Sequence, residues 1–249
     1  MAKMDDMITN QEFIKKNITT NDGEPVPYRW THGATDQHMG DGLIIYSIIQ
    51  HMRFKNCVCI GSGGGYIPRI LTQARIDLHK QGIFEGNNDY NWGDIGATYV
   101  IDACNGIGGP TDIENENSFY RKTFYPRFIK NTSENAFHDF FIRQDIKIDL
   151  LFIDGNHSYE GVKKDFELYS KILNDNGIII IHDTDLNYEN SLIVSEDAKK
   201  EHHRFNGPSK FVKELEKNNE FNLINLFNFS IFSTKPTSSG ITLINKKKN

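Results

Sequence analysis

Two short, almost uninterrupted apolar runs constrain the fold of this 249-residue chain more than any other feature. They are Ile148-Asp-Leu-Leu-Phe-Ile153 and Ile178-Ile-Ile-Ile181, and the segment between them has Val162, Phe166 and Tyr169 at helical spacing. A strand that is apolar throughout is buried on both faces, and parallel strands are joined through a crossover helix. The pattern therefore predicts an α/β protein with a parallel sheet covered by helices on both sides.

The intervening helix is predicted to run on to Leu173, with Asp175-Asn-Gly177 closing it as a C-cap. The remaining elements follow the same alternation. Helices are predicted at about Asp41 to Met52, after Gly65 and at about Lys210 to Lys217, and strands at 56–60, 97–102, 127–130, 148–154, 178–182, 221–233 and 241–244. The last two strands flank the turn Lys235-Pro-Thr-Ser-Ser-Gly240, which predicts an antiparallel hairpin at the end of the sheet.

Composition excludes several classes of protein. With 28 Lys and Arg against 33 Asp and Glu, the formal net charge is −5, which disfavours a nucleic-acid binder. The longest apolar stretch, Leu43 to Ile49, is far shorter than the ~20 residues that span a bilayer, and no apolar leader follows Met1. Three cysteines, at 57, 59 and 104, form no disulfide framework. We expect a soluble, cytoplasmic protein that binds neither membranes nor nucleic acid.

A glycine-rich segment, Cys59-Ile-Gly-Ser-Gly-Gly-Gly65, lies between the first core strand and a helix. Glycines allow a ligand to approach the backbone, and the helix N-terminus beyond them offers free N–H groups. The dinucleotide fingerprint would need Gly or Ala at position 66, where this chain has Tyr66. The spacing suits a nucleoside ligand without a pyrophosphate, bound by Gly61, Ser62, Gly63 and Gly65. A simple tight turn is the alternative.

Acidic residues and histidines end three of the predicted strands. Asp102 ends the second, where a carboxylate faces ribose hydroxyls in sheets of this type, although it could also be an ordinary surface carboxylate. Asp154 and the pair His182-Asp183 end two strands that we expect to be neighbours, which predicts a site for Mg²⁺ or another divalent cation. His157 follows Asp154 by three residues and is a candidate general base, with a structural hydrogen-bonding role as the alternative.

These segments resemble the class I S-adenosylmethionine-dependent methyltransferases. The motif D-G-x-H-x-Y-x-x-V-x-x-D over Asp154 to Asp165, followed by an apolar strand and His-Asp, is similar to the branch of metal-dependent sugar O-methyltransferases of macrolide and rhamnosyl type. The resemblance implies a Rossmann-like three-layer sandwich with a mostly parallel, seven-stranded sheet and a C-terminal antiparallel hairpin. It also implies one methyltransferase domain over 1–249, with an N-terminal extension over 1–52 and the core over 53–249.

The resemblance further implies roles for individual residues. Asp154 and Asp183 would be metal ligands, His157 the catalytic base, and Asp154 would also border the cofactor. Ser133 and Glu134 resemble the turn that contacts adenine. Two positions depart from the family pattern: His182 stands where a third, acidic metal ligand is usual, and Cys59 stands where the glycine motif usually has an acidic residue.

We therefore predict an S-adenosylmethionine-dependent O-methyltransferase that is assisted by a metal and acts on a hydroxyl of a sugar, glycan or other small molecule. Two alternatives stay open: a metal-dependent hydroxylase or hydrolase on the same fold, and a non-catalytic nucleotide-binding module. A homo-oligomer is compatible with the sequence. The polar stretch from Asp185 to Phe205 is interpreted as a lid over the metal cleft or as a surface loop.

Overall fold

A computed structural model describes residues 29–35, 38–81, 96–104, 115–117, 121–122, 126–185, 206–227 and 239–247. The N-terminal part begins with a 3₁₀ turn, Arg29–His32, and a two-stranded antiparallel ribbon, β1 (Ala34–Thr35) and β2 (His38–Met39). Helix α1 (Asp41–Met52) follows, with the bounds that the sequence predicts. Arg53 caps its C-terminus, and the left-handed backbone of this residue (φ 57°) returns an N–H to the carbonyl of Ile49.

The core then alternates strands and helices. In chain order its elements are β3 (Cys57–Ile60), α2 (Tyr66–Lys80), β4 (Thr98–Asp102), β5 (Arg127–Lys130), α3 (Ser133–Ala136) with a π-helical turn (Phe137–Ile142), β6 (Ile148–Ile153), α4 (Tyr159–Tyr169), a 3₁₀ turn (Ser170–Ile172), β7 (Leu173–His182), α5 (Gly207–Leu215), β8 (Phe221–Leu226) and β9 (Ile241–Lys246).

Strands β3 to β9 form one seven-stranded sheet in the order β5-β4-β3-β6-β7-β9-β8. All neighbouring pairs are parallel except those of β9, which runs antiparallel to both β7 and β8. The predicted Rossmann-like sheet with a C-terminal antiparallel hairpin is confirmed. Because β3, β4, β6 and β7 are mutually parallel, their carboxyl ends meet at one edge, and this edge carries the candidate site.

Alternating strand residues face two separate apolar cores, which makes the fold a three-layer sandwich. Cys57 and Cys59 of β3 face the core formed with α1 and α2, whereas Val58 and Ile60 face the core formed with α4 and α5. Strands β6 and β7 divide in the same way, so each central strand is buried on both faces. This burial explains their almost unbroken apolar runs.

The predicted end of α4 is wrong. The helix ends at Tyr169, and the residues expected to form its last turn and C-cap, from Leu173 to Gly177, lie in β7. Leu173 continues the helical spacing, but its backbone pairs with Ile148 of β6, and the register shifts before the next pair. The apolar spacing up to Leu173 is compatible with a helix and with a strand, and pairing with the sheet decides in favour of the strand.

Several predictions fall outside the described residues. They concern the lid from 186 onward, the insertion between α2 and β4, and most of the hairpin turn before β9. Among the helices that the structure does describe, none has the length and apolar character that crossing a membrane requires.

Candidate active site

The glycine-rich loop passes directly over the end of β6. Gly61 (φ 80°) lies so close to Asp154 that a Cβ on it would be 2.1 Å from the carbonyl oxygen of Asp154. Gly63 (φ 47°) has the opposite environment, since a Cβ there would meet no described atom within 4 Å. Gly65 (φ 86°) is the N-cap of α2. The loop thus has one glycine required by packing and one that borders open space beside a helix N-terminus.

Asp102 lies beside this loop, as the sequence predicts. Its carboxylate accepts hydrogen bonds from the Ser62 N–H (2.9 Å), the Ser62 hydroxyl (2.6 Å) and the Cys104 N–H (2.7 Å). The side chain therefore fixes the loop that follows β3 to the end of β4. A ribose at this position would lie within reach of a charged acceptor whose orientation is already set.

Cys59 is fully buried, and its thiol donates to the carbonyl oxygen of Gly61 at 3.0 Å. Burial raises the pKa of this thiol well above its ordinary value, and the nearby carboxylates of Asp154 and Asp102 act in the same direction. Cys59 is therefore a neutral donor that supports the loop, and it cannot supply the negative charge of the acidic residue expected here.

Four of the predicted site residues converge at the ends of β6 and β7. His157 Nε2 lies 3.1 Å from Asp154 Oδ1, and His157 Nδ1 lies 3.3 Å from Asp183 Oδ2. His182 Nδ1 lies 3.2 Å from Asp154 Oδ1 and 3.3 Å from Asp183 Oδ1. Asp183 has a left-handed backbone (φ 57°), which is rare outside glycine and is found at functional sites.

The close pairing sets the charges of these groups. Burial disfavours the ionised form of Asp154, but His182 and His157 outweigh it and hold the pKa of this carboxyl well below its usual range. Burial also opposes protonation of His182, yet the carboxylates of Asp183, Asp154 and Asp41 raise its pKa to about 10. For His157, burial is likewise outweighed by Asp154 and Asp183, which raise its pKa above the ordinary value.

Two further residues of the cluster come from the N-terminal segment and were missed by sequence reasoning. His32 Nε2 lies 3.8 Å from Asp154 Oδ2, and Asp41 Oδ2 lies 3.9 Å from both His32 Nδ1 and His182 Nε2. The side chains of His32 and Asp41 are buried. Burial, followed by the charge of His182, lowers the pKa of His32 to about 3.

Tertiary contacts, rather than local sequence, hold this segment over the strand ends. The Ser239 N–H donates to the Thr31 carbonyl at 3.0 Å, and the Tyr66 hydroxyl donates to the Met39 carbonyl. A single histidine in a glycine-containing loop carries no metal-ligand spacing, so the sequence offered no signal for the role of His32.

Ser133 and Glu134 begin α3, after Thr132, whose side chain caps the helix by accepting from the Asn135 N–H at 3.3 Å. Helix α4 holds this turn through three side chains. Lys164 pairs with the Glu134 carboxylate, the Tyr169 hydroxyl donates to the Ser133 carbonyl, and Asp165 is hydrogen-bonded to the Ser133 side chain. Their contact with adenine stays a prediction.

A family model described as a methyltransferase domain matches residues 58–184, just over half of the chain. Among curated proteins, the uncharacterized protein y4gI of Sinorhizobium fredii is 34% identical over 62 residues, which make up 25% of this chain and 6% of that protein. The similarity to this relative therefore covers a small fraction of its length.

The fold is shared by solved structures, among them these three. The O-methyltransferase of Bacillus cereus in complex with SAH has a TM-score of 0.57 at 15% identity, covering 89% of this chain and 84% of that one. SAH-bound PaMTH1 of Podospora anserina has a TM-score of 0.56 at 16% identity, covering 85% and 80%. The O-methyltransferase TomG of Streptomyces achromogenes, involved in tomaymycin synthesis and in complex with SAM, has a TM-score of 0.53 at 12% identity, covering 85% and 81%.

Proposed function

This chain belongs to the methyltransferase domain family, and from that premise we propose that it transfers a methyl group from S-adenosylmethionine to a hydroxyl oxygen. The hydroxyl belongs to a sugar, glycan or other small molecule, and a divalent cation assists the reaction. The observation that carries the proposal is the contact between the glycine-rich loop and the cluster of Asp154, His157 and Asp183. A nucleoside site and a proton-accepting site thus adjoin at one sheet edge.

The open side of Gly63 and the carboxylate of Asp102 fit the cofactor. No described atom lies within 4 Å of a Cβ on Gly63, so a nucleoside can approach the loop backbone there. Asp102 would accept from the ribose hydroxyls, and the turn of Ser133 and Glu134 would contact the adenine. The bound cofactor supplies an electrophilic methyl group on a sulfonium sulfur, which leaves as a thioether. The proposal that S-adenosylmethionine is the cofactor is supported by the SAM and SAH complexes of the three structural neighbours.

The donor atoms at the strand ends fit a divalent cation. Nδ1 of His182 lies 3.2 Å from Asp154 Oδ1 and 3.3 Å from Asp183 Oδ1, so these three donor atoms face one another. Asp154 and Asp183, together with His182, would hold the ion, and the ion would lower the pKa of a hydroxyl beside it. Because ionised carboxylates and neutral imidazoles are the ligand forms of these side chains, metal binding would displace the proton that the carboxylates otherwise hold on His182.

His157 is the proton acceptor in this proposal. Its side chain is 22% exposed, against 1% for His182, so it faces the side from which a substrate can approach. His157 Nδ1 lies 3.3 Å from Asp183 Oδ2, so it would become available as the base when Asp183 binds the cation. The neutral tautomer with hydrogen on Nε2 would then donate to Asp154 and take the hydroxyl proton on Nδ1. The contact with Asp154 orients the ring, as a carboxylate orients the histidine of a catalytic triad.

The sugar class of the acceptor rests on the resemblance of Asp154-Gly-Asn-His157 and the following helix to the sugar O-methyltransferase branch. TomG shares the fold and takes part in tomaymycin synthesis, which is compatible with a small-molecule hydroxyl. We test the acceptor class directly. Purified protein is incubated with methyl-labelled S-adenosylmethionine and a panel of nucleotide sugars, oligosaccharides and catechols, and labelled products are identified by mass spectrometry.

The proposal predicts label on an acceptor oxygen and stoichiometric S-adenosylhomocysteine. His157→Ala should abolish most of the label, whereas His51→Ala, at an exposed position of α1, should retain it. Binding of S-adenosylhomocysteine without transfer to any hydroxyl would instead favour a non-catalytic module. Absence of cofactor binding would favour metal-dependent hydroxylation or hydrolysis and would refute the proposal.

A further inference from the structure

We propose that His32, from the N-terminal segment, is a metal ligand together with Asp154 and His182, and that the presence of two imidazole ligands makes the site select a transition metal ion over Mg²⁺. The inference rests on the proposed function, since it concerns the metal of the same site. One ligand atom each from His32, Asp154 and His182 lies within 4.8 Å of the others. His32 therefore adds a donor from outside the strand ends on which the sequence prediction was based.

Two of the metal-facing atoms can be assigned from the contacts. His182 directs Nδ1 at Asp154 (3.2 Å), and His32 directs Nε2 at the other oxygen of Asp154 (3.8 Å). The His32 contact is too long for a hydrogen bond. The two imidazole rings lie with centroids 4.1 Å apart and planes tilted by 38°, and each directs one nitrogen at the carboxylate of Asp154.

The outward nitrogens face groups that orient metal-bound histidines in proteins. His182 Nε2 lies 3.3 Å from the carbonyl oxygen of Thr31 and 3.9 Å from Asp41 Oδ2. His32 Nδ1 lies 3.9 Å from the same Asp41 oxygen. A histidine ligand usually donates its other N–H to a carboxylate or a backbone carbonyl, and Asp41 and Thr31 provide these two acceptors.

The burial of His32 is the independent observation that points to a ligand. The side chain is only 7% exposed, and its Nδ1 has no hydrogen-bond partner within the described part of the chain. An unpaired buried polar atom costs about 1–3 kcal/mol, and folded proteins rarely keep one without a reason. Coordination through Nε2 would hold the ring in place and direct the Nδ1 hydrogen at Asp41.

Ligand chemistry then determines the metal. Mg²⁺ prefers carboxylate, carbonyl and water oxygens, whereas imidazole suits zinc, iron, nickel and copper. His182 stands where the family pattern has an acidic residue, and His32 lies beside it as a second histidine. Both differences favour a metal that prefers imidazole. The more exposed His157 stays available as the base, because the side chains of His32 and His182 are 7% and 1% exposed.

The test measures binding of Co²⁺, a spectroscopic probe for sites of this kind, to the apo form of the whole 249-residue chain. Absorbance titration should show d–d bands that saturate at one ion per chain, with Mg²⁺ a weak competitor. Loss of a group that merely orients a metal ligand costs ~10–100-fold in affinity, so His32→Ala should weaken Co²⁺ at least ~100-fold. The matched control, His51→Ala at an exposed position of α1, should bind as the wild type does.

His182→Glu gives a second arm, in which a buried imidazole is exchanged for a carboxylate instead of being truncated to a methyl group. It should weaken Co²⁺ binding and strengthen Mg²⁺ binding, because it restores an oxygen ligand. Circular dichroism and calorimetric affinity for S-adenosylhomocysteine are measured on every variant. Equal Co²⁺ affinity of wild type and a folded His32→Ala would overturn the inference, as would tighter Mg²⁺ than Co²⁺ binding in the wild type. If the wild type did not bind S-adenosylhomocysteine at all, the proposed function would be overturned instead.

Discussion

Replacing Asp165 with asparagine should stabilise the protein at neutral pH, and the size of the effect follows from the surroundings of this side chain. Asp165 is 3% exposed in α4, below the turn that carries Ser133. Burial raises its pKa from 3.8 to about 6, against the opposing effects of the Ser133 hydrogen bond and Lys164. The folded protein therefore binds a proton on Asp165 more tightly than the unfolded chain does.

The sign and magnitude of the stability effect follow from the linkage between proton binding and folding. The favourable contribution of the protonated acid is fully present below about pH 4 and is lost as the pH rises through about 6. A difference of about 2 pKa units at 1.36 kcal/mol each corresponds to about 3 kcal/mol. Asparagine has nearly the same shape, keeps a partner for Ser133 and carries no charge. Part of this difference is already expressed at pH 4, so the advantage of Asp165→Asn over wild type in unfolding free energy should grow by about 2 kcal/mol between pH 4 and pH 7.

Urea unfolding of both proteins at several pH values measures this difference, in which other titrating groups cancel. Asp139→Asn, at an exposed side chain, controls for the amide substitution itself. A difference between Asp165→Asn and wild type that stays constant across this range would refute the reasoning. The result bears on function because Asp165 supports Ser133, at the turn predicted to contact adenine.

Three further substitutions test the cofactor loop, the ribose carboxylate and the base. Gly63→Val should abolish S-adenosylhomocysteine binding in calorimetry, because a branched side chain fills the open space beside the loop and disfavours its φ of 47°; unchanged affinity in the folded variant would contradict the loop assignment. Asp102→Ala should weaken the cofactor roughly 10-fold or more, by loss of charged hydrogen bonds of ~1.5–3 kcal/mol, and an unaltered Kd would assign the ribose to another residue. His157→Ala should lower kcat by ~10²–10⁴-fold with metal content retained, and an unchanged kcat would exclude it as the base.

The sheet was predictable because its strands are buried on both faces. Few folds accommodate the apolar runs in β6 and β7 together with the glycines after β3. A parallel sheet with a ligand loop at its edge is one of them. The positions of Asp102, Asp154 and Asp183 followed from the same rule, since each ends a strand whose neighbours end beside it. The site residues at the strand ends could therefore be predicted from the sequence.

The rest depends on contacts between residues far apart in the chain. His32 and Asp41 reach the cluster only because the N-terminal segment folds over the ends of β6 and β7. Neither residue belongs to a spacing that predicts ligation. The end of α4 was misplaced for a related reason, because Leu173 fits a helix locally and a strand in the folded sheet.

The most direct test of metal-assisted O-methylation is the rate of labelled methyl transfer by exhaustively chelated enzyme, before and after divalent cations are added back. We expect chelation to remove most of the activity and the added ion to restore it, while S-adenosylhomocysteine affinity survives because Gly63 and Asp102 need no metal. Asp183→Ala should reproduce the chelated state, because Asp183 is one of the proposed ligands of the ion. Its carboxylate lies 3.3 Å from both His157 and His182. Full transfer to a hydroxyl by enzyme shown to be metal-free by elemental analysis would contradict the account and leave His157 to act alone.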